Sequence, residues 1–174
     1  MKPILFLLLS LFAFSPIIHA QNDPEFKKGF ITHLELFNGL RSNFRLGNEP
    51  FIGGLQITPQ YTIAPSHLRA GLKAGFFYTN QRMQTLLGPT LSLKLKSFKA
   101  GVFGTAGNVH LSMDHLWGSN KQRLFGGGIH LDLLNKIVLG PQLHRDYNLN
   151  DWWIQFKVGY KIGRQAKVNE PFNN

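Results

Sequence analysis

The sequence predicts an all-β protein, an eight-stranded antiparallel up-and-down barrel that crosses a membrane. Two observations predict this class: apolar and polar residues alternate almost throughout the chain after residue 27, and an apolar leader precedes them. Between Leu68 and Tyr78 the even positions are apolar and the odd ones are charged or small, with Phe77 as the exception. A period of two indicates strands with one apolar and one polar face. About eight such runs behind an export signal are typical of an outer-membrane barrel.

The first twenty residues form a predicted signal peptide. Lys2 supplies a positive start, residues 4–14 read ILFLLLSLFAF, and Ile18 to Ala20 precede a cleavage site expected after Ala20. The apolar run is too short for a stable helical anchor. We therefore divide the chain into a signal peptide (1–20), an N-terminal periplasmic segment (21–27), the barrel (28–163) and a polar C-terminal tail (164–174).

Composition narrows the choice of partners. The chain has no cysteine, which excludes disulfides and thiolate metal ligands. Its formal net charge of +10 favours anionic partners such as lipopolysaccharide phosphates. Nucleic acid is not expected, because the protein is exported and its basic residues are scattered along strands. After the leader, no stretch approaches the roughly 18 apolar residues of a transmembrane helix.

The strands are predicted to be joined by connections of alternating length. Connections after the second, fourth and sixth strands are short (64–67, 97 and 134–135), and those after the first, fifth and seventh are longer (40–50, 113–122 and 146–150). Short turns in such barrels face the periplasm, which puts both mature termini there. The strands are expected near 28–39, 51–63, 68–79, 85–96, 98–112, 123–133, 136–145 and 151–162.

The contents of the two faces predict which one is inside. A secreted lipocalin-like soluble barrel has the same period with an apolar interior, and it stays open as an alternative. However, the polar face carries many glycines, which weaken a strand and serve no purpose on a water-facing surface. The apolar face carries large residues with aromatics towards the strand ends, as in a lipid-facing band with aromatic girdles. We expect the polar face to line the lumen, and the aromatics to point outward: Phe51, Tyr61, Phe76, Tyr78, Phe98, Trp152 and Tyr160.

The chain resembles the small outer-membrane β-barrels of Gram-negative bacteria, the OmpA-transmembrane-domain and OmpX type. The segments LLGPTLSLKLK, VLGPQLHRD and IQFKVGYKIG are similar to strands of such barrels from Bacteroidota. The resemblance covers nearly all of the mature chain, and it implies the fold and a place in the cell outer membrane. Such chains often end at the aromatic end of the last strand, whereas this one continues past Ile162 as a polar tail.

Parity assigns a set of charged residues to the lumen, where we expect an ion-pair network. Within it, Glu35 is predicted to pair with at least one cation. Lys157 is the nearest across the closure of the first and last strands, and Arg69 and Lys73 are within reach across the lumen. A surplus of cations inside also leaves open a narrow solute conduit, although eight strands enclose little more than side chains. The predicted lumen residues are Glu35, Arg69, Lys73, Lys94, Lys96, Lys99, His130, Asp132, His144, Lys157 and Lys161.

His110 and Ser112 are weak candidates for catalysis. Extending the parity of the fifth predicted strand from Phe98 turns both towards lipid, although Gly107 could shift the register and turn His110 inward. The arrangement resembles the lipid A 3-O-deacylase barrels, which combine a His-x-Ser motif with a glutamate. No glutamate lies between Glu49 and Glu170, so the acidic partner is missing. A deacylase-like enzyme is therefore the runner-up.

The function expected from the sequence is structural or interactive. We expect an outer-membrane barrel with a closed or very narrow basic lumen, in contact with outer-membrane lipid and lipopolysaccharide. During biogenesis its partner would be the barrel-assembly machinery. We expect no cofactor and no metal, since the histidines are scattered over different strands. The sequence leaves the ligand and the oligomeric state open.

Overall fold

The protein is a closed barrel of eight antiparallel strands in a computed structural model. The structure describes residues 29–44, 50–65, 67–79, 82–100, 105–133 and 136–162, without the side chains of 99–100 and 105–106. The predicted signal peptide, periplasmic segment and polar tail lie outside these residues. The strands are β1 (Phe30–Ser42), β2 (Phe51–Ala64), β3 (Leu68–Thr79), β4 (Arg82–Ala100), β5 (Thr105–Gly118), β6 (Arg123–Leu133), β7 (Ile137–Asp146) and β8 (Asp151–Ile162).

Every strand pairs with its neighbours in the chain, and β1 pairs with β8 to close the sheet. Because each strand pairs only with the strands next to it in this order, the topology is up-and-down, which confirms the predicted fold class. In the closing seam Glu35 lies opposite Gly159, and Phe37 lies opposite Lys157. Within the described residues, no helix is long and apolar enough to cross a membrane.

The prediction was wrong for the boundary between β4 and β5. A turn was expected at Ser97, but β4 continues to Ala100, since Ser97 pairs with Asn108 in the β4–β5 ladder. β5 accordingly begins at Thr105 and runs to Gly118 instead of ending at residue 112. A turn-forming residue was thus taken into a strand by cross-strand pairing.

The connections at the two ends of the barrel differ less than predicted. We call the end with connections 43–50, 80–81, 119–122 and 147–150 the loop end. The opposite end, with connections 65–67, 101–104 and 134–136, is the turn end, and β1 begins and β8 ends there. Only connection 43–50 is clearly longer than the others. The predicted contrast in length is therefore wrong for the remaining connections.

The two faces of the barrel wall are the reverse of those of a soluble protein. Among the described residues, 26 buried side chains are polar or charged and eight are hydrophobic. On β3, Leu72 lies outside with 56% exposure, whereas the adjacent Lys73 is buried. On β8, Ile154 lies outside and Lys157 inside. A lipocalin-type barrel has the opposite distribution.

The aromatic residues near the strand ends lie on the outer face. Trp152 and Phe98 are partly covered, and Phe98 lies across Gly107, where an added Cβ would come within 2.5 Å of its ring. The others are exposed by 44–60%: Phe51, Tyr61, Phe76, Tyr78 and Tyr160. Glycine has a different use inside, since a Cβ at Gly159 would lie 2.7 Å from Cγ of Glu35. The missing side chain makes room for that glutamate.

Candidate functional site

The lumen contains two chemically different regions. Towards the loop end, seven buried hydrophobic side chains form a cluster that we call the apolar plug. The rings of Phe77 and Trp153 meet at 5.0 Å in an edge-to-face contact. Because β3 and β8 do not pair, this contact spans the interior rather than following the wall. The plug consists of Phe37, Ile52, Phe77, Leu86, Leu116, Leu124 and Trp153.

Between the plug and the turn end lies a charged network built on three buried carboxylates. The first is Asp114 on β5, whose Oδ2 lies 2.6 Å from Nζ of Lys73 on β3. The same oxygen lies 3.1 Å from Nε2 of His144 on β7. Gln142 donates a longer hydrogen bond of 3.5 Å to it. These contacts tie three non-adjacent strands together through one carboxylate.

The second carboxylate is Glu35 on β1. Lys157 Nζ on β8 donates to its Oε1 at 2.8 Å, which is the contact expected from strand closure. Gln56 and Thr58 on β2 donate to Oε2 at 2.6 and 3.2 Å. His33 Nδ1 lies 3.8 Å from Oε1. Glu35 thus has a partner on both flanking strands.

The third carboxylate is Asp132 on β6. Lys161 Nζ on β8 donates to its Oδ2 at 2.7 Å, across the intervening β7. His110 Nδ1 on β5 lies 3.7 Å from the other oxygen, Oδ1. This group lies nearer the turn end than the Asp114 group.

Each of the three carboxylates therefore has one lysine and one histidine as neighbours. Their exposures are all 1% or less, and each lysine is at most 8% exposed. A buried charge without a partner is strongly destabilising, and a close ion pair offsets much of the cost of removing both ions from water. The network can therefore hold six charges inside the barrel and brace strands that do not touch in the sheet.

Most of the predicted lumen residues lie inside. Lys94 is half-buried near the turn end and has interactions there. The side chain of Lys99 lies outside the described part. Arg69 is buried and donates from Nε to Thr62 at 3.3 Å. The buried members of the predicted set are Glu35, Arg69, Lys73, His130, Asp132, His144, Lys157 and Lys161.

The prediction for Lys96 was wrong. Its side chain is exposed, and its backbone pairs with Val109 on the outer face. The cause is a register shift between Lys94 and Lys96. A bulge adds one residue to one strand, so the alternation of faces changes there.

The prediction that His110 and Ser112 face lipid was also wrong. Both are buried in the lumen, at 3% exposure each. The parity had been extended from Phe98, which belongs to β4, whereas β5 begins at Thr105. Alternation within one strand does not predict the direction of side chains on the next strand. The outward direction assigned to His110 and Ser112 was therefore wrong.

Ser112 nevertheless has a histidine partner. Its Oγ lies 2.7 Å from Nε2 of His130 on β6, and the His110 and His130 rings are 5.2 Å apart. A serine activated by histidine also needs a group that orients the histidine. Nδ1 of His130 has no hydrogen-bond partner in the described residues. Because Ser112 and His130 are buried in the lumen, they do not face the outer wall, where the acyl chains of a lipid would lie.

Sequence reasoning missed several lumen residues. Asp114 and His33 are both buried but were not among the predicted lumen residues. Phe77 and Trp153 carried a signal, since each is a large aromatic at a position where the alternation demands a polar residue. No group of three histidine or carboxylate side chains in the described residues could hold a metal ion.

Comparison with known proteins gives a fold likeness only. No family model matches this sequence, and no curated protein sequence is close enough to count as a match. Among solved structures, a chain described as "De novo design of transmembrane beta-barrels" is similar, with a TM-score of 0.45 and 15% identity. The match covers 79% of this chain and 99% of the designed one.

Proposed function

We propose that the protein is an integral outer-membrane β-barrel with a closed lumen and a structural or interaction role. The observation that carries this proposal is the inverted wall, with polar side chains inside and large hydrophobic ones outside. Soluble monomers rarely expose contiguous apolar patches of more than a few hundred Å². A barrel satisfies all backbone groups between strands, so it can place such a surface in lipid.

The apolar plug supports a closed lumen. Seven hydrophobic side chains meet across the interior at the loop end, and three buried ion pairs lie in the lumen below them. Hydrated ions would have to displace or pass both regions. A narrow solute conduit is therefore less well supported than a closed barrel.

The proposed localisation combines the predicted signal peptide with the positions of the strand ends. β1 begins and β8 ends at the turn end, so both chain termini leave the barrel on one side. We propose that this side is periplasmic and that the loop end faces outward. The surrounding lipid, including lipopolysaccharide, and the barrel-assembly machinery are the proposed partners.

Membrane fractionation tests the proposal directly. The full-length protein should sediment with outer membranes, resist carbonate extraction and migrate differently on SDS gels before and after boiling. A soluble periplasmic protein and an established outer-membrane barrel serve as controls. Recovery in the soluble periplasmic fraction would contradict the proposal and restore the lipocalin-like alternative.

Single-channel recording tests the closed lumen separately. Purified protein inserted into planar bilayers should give no conductance steps under conditions in which a porin control conducts. Regular steps from the wild-type protein would favour the conduit.

The lipid-modifying alternative has its own test. A His110→Ala/Ser112→Ala variant should leave the lipid A mass profile of expressing cells unchanged, because both residues are buried in the lumen. Loss of a deacylated lipid A species in that variant alone would revive the enzyme reading.

A further inference from the structure

The outer face of β5 to β8 carries a basic and aromatic cluster at the loop end. Arg123 lies directly opposite Trp117, and Arg145 lies between Phe125 on one neighbouring strand and Trp152 on the other. All five side chains lie on the outside of the barrel. We call them, together with Lys121 in the adjoining connection, the rim patch.

The backbone brings the two arginines of the rim patch close together. Phe125 is the partner of Arg145, and the amide of Tyr147 bonds to the carbonyl of Arg123. Arg123 and Arg145 are therefore diagonal neighbours on one face, with Cα atoms about 7–8 Å apart. Lys121 is held nearby, since Asn148 Nδ2 donates to its carbonyl at 2.7 Å.

The arginines retain donors for a ligand. The guanidinium of Arg145 lies over the Trp152 ring at 5.2 Å and also donates to Asn150. Stacking orders the guanidinium plane, and five N–H groups leave several for another acceptor. Arg123 is exposed beside Trp117, which is 47% exposed.

Charge is segregated between the two sides of the wall. Four of the five carboxylates in the described residues are buried, namely Glu35, Asp114, Asp132 and Asp146. The fifth, Asp151, pairs with Arg41 at 3.2 Å. The described outer surface therefore presents cations without competing carboxylates, which leaves the rim patch to an external anion.

We propose that the rim patch binds the phosphate groups of a phosphorylated glycolipid, lipopolysaccharide of the outer leaflet. This inference rests on the proposed function, because it requires the loop end to lie in that leaflet. Aromatic residues place this level of the wall at the membrane interface, where lipid phosphates lie. Arginines form charge-assisted, often bidentate hydrogen bonds with phosphate, and the exposed rings pack against the acyl chains below.

The test compares matched charge removals at the two ends of the barrel. Arg123→Gln/Arg145→Gln removes two cations from the rim patch, and Lys96→Gln/Lys136→Gln removes two exposed cations at the turn end. Full-length proteins are inserted into phosphatidylcholine nanodiscs and titrated with bisphosphorylated lipid A, dephosphorylated lipid A or phosphatidylglycerol. Bound lipid is counted by native mass spectrometry, and heat-modifiable migration reports folding.

We expect the arginine variant to bind bisphosphorylated lipid A about tenfold more weakly than the wild type. The lysine variant should stay within about twofold, since its cations lie beyond the screening length from the rim. Dephosphorylated lipid A should bind wild type and arginine variant alike.

Other results would overturn the inference. Equal binding of bisphosphorylated lipid A by a folded, inserted arginine variant excludes the rim patch while leaving the membrane barrel intact. Equally tight, arginine-dependent binding of phosphatidylglycerol overturns the assignment to a glycolipid. If the wild type itself does not insert into nanodiscs, the proposed function fails, and this inference fails with it.

Discussion

The two regions of the lumen hold the barrel together in different ways. The apolar plug relies on packing, which is non-directional, so its members need only fill a common volume. The charged network relies on specific partners, since each carboxylate must meet its lysine at 2.6–2.8 Å. The interior is thus closed by packed hydrophobic side chains at the loop end and by ion pairs between charged side chains in the rest of the lumen.

The wall behind the two regions differs as well. Proline has no N–H to donate to a ladder. The β2–β3 and β6–β7 ladders are interrupted beside Pro59 and Pro141, at the level of the network. The β4–β5 ladder is interrupted beside Pro89, opposite His115 and Leu116, at the border of the plug. At the level of the plug the β2–β3 and β6–β7 ladders are paired. The network therefore cross-braces the part of the wall with fewer backbone hydrogen bonds.

Breaking one ion pair is expected to be among the most destabilising changes. Glu35→Ala leaves Lys157 buried without its carboxylate and should lower the free energy of unfolding by about 3–5 kcal/mol. The double variant Glu35→Ala/Lys157→Met should recover much of this loss, since no uncompensated charge remains. Urea unfolding in lipid vesicles measures both. A single variant within about 1 kcal/mol of wild type would contradict a required pair.

Truncating a side chain of the plug should destabilise the barrel to a similar extent, but a smaller aromatic ring at the same position should restore part of the loss. Trp153→Ala removes a fully buried indole and should cost about 3–5 kcal/mol in unfolding free energy. Trp153→Phe retains a ring against Phe77 and should cost less.

Conductance distinguishes the plug from the network. The variant Phe77→Ala/Trp153→Ala should show conductance steps in planar bilayers, because it widens the loop end. Glu35→Ala/Lys157→Met, with the plug intact, should remain silent. Steps from both variants would show that the plug does not close the lumen.

Substitutions at two adjacent residues of β3 test whether the outer face of the barrel contacts lipid and the inner face lines the lumen. Leu72→Arg puts a charge on the outer face and should cost about 2–4 kcal/mol at mid-bilayer. Lys73→Arg keeps a cation opposite Asp114 and should be milder. Vesicle unfolding of both variants is the measurement, and equal costs would contradict the assigned faces.

The smallest effect is expected from repairing the wall at the level of the network. Pro141→Val restores an N–H towards β6 and should stabilise the barrel by about 0.5 kcal/mol, a net hydrogen bond less the lost rigidity of proline. Amide exchange near Ile129 should slow. Unchanged exchange would mean that the missing donor does not weaken this seam.

The alternation of side chains was enough to predict the architecture and part of the lumen. It gave eight strands, their antiparallel order and the opposite faces of Leu72 and Lys73. It also brought Glu35 towards Lys157, since both lie near the middle of strands that must meet on closure. It failed beyond Lys94, where one extra residue changes which face each side chain occupies.

What the sequence determined by itself is therefore the periodic part of the protein: strands with two unlike faces, and an interior that must be polar if the exterior is to be apolar. Only the tertiary structure decided the extent of β4, the start of β5 and the inward direction of His110, Ser112 and Asp114. These depend on register, which is fixed by pairing with another strand and by a bulge, and not by local residue preference. The plug was decided in the same way, because its members come from seven strands and meet only when the barrel closes.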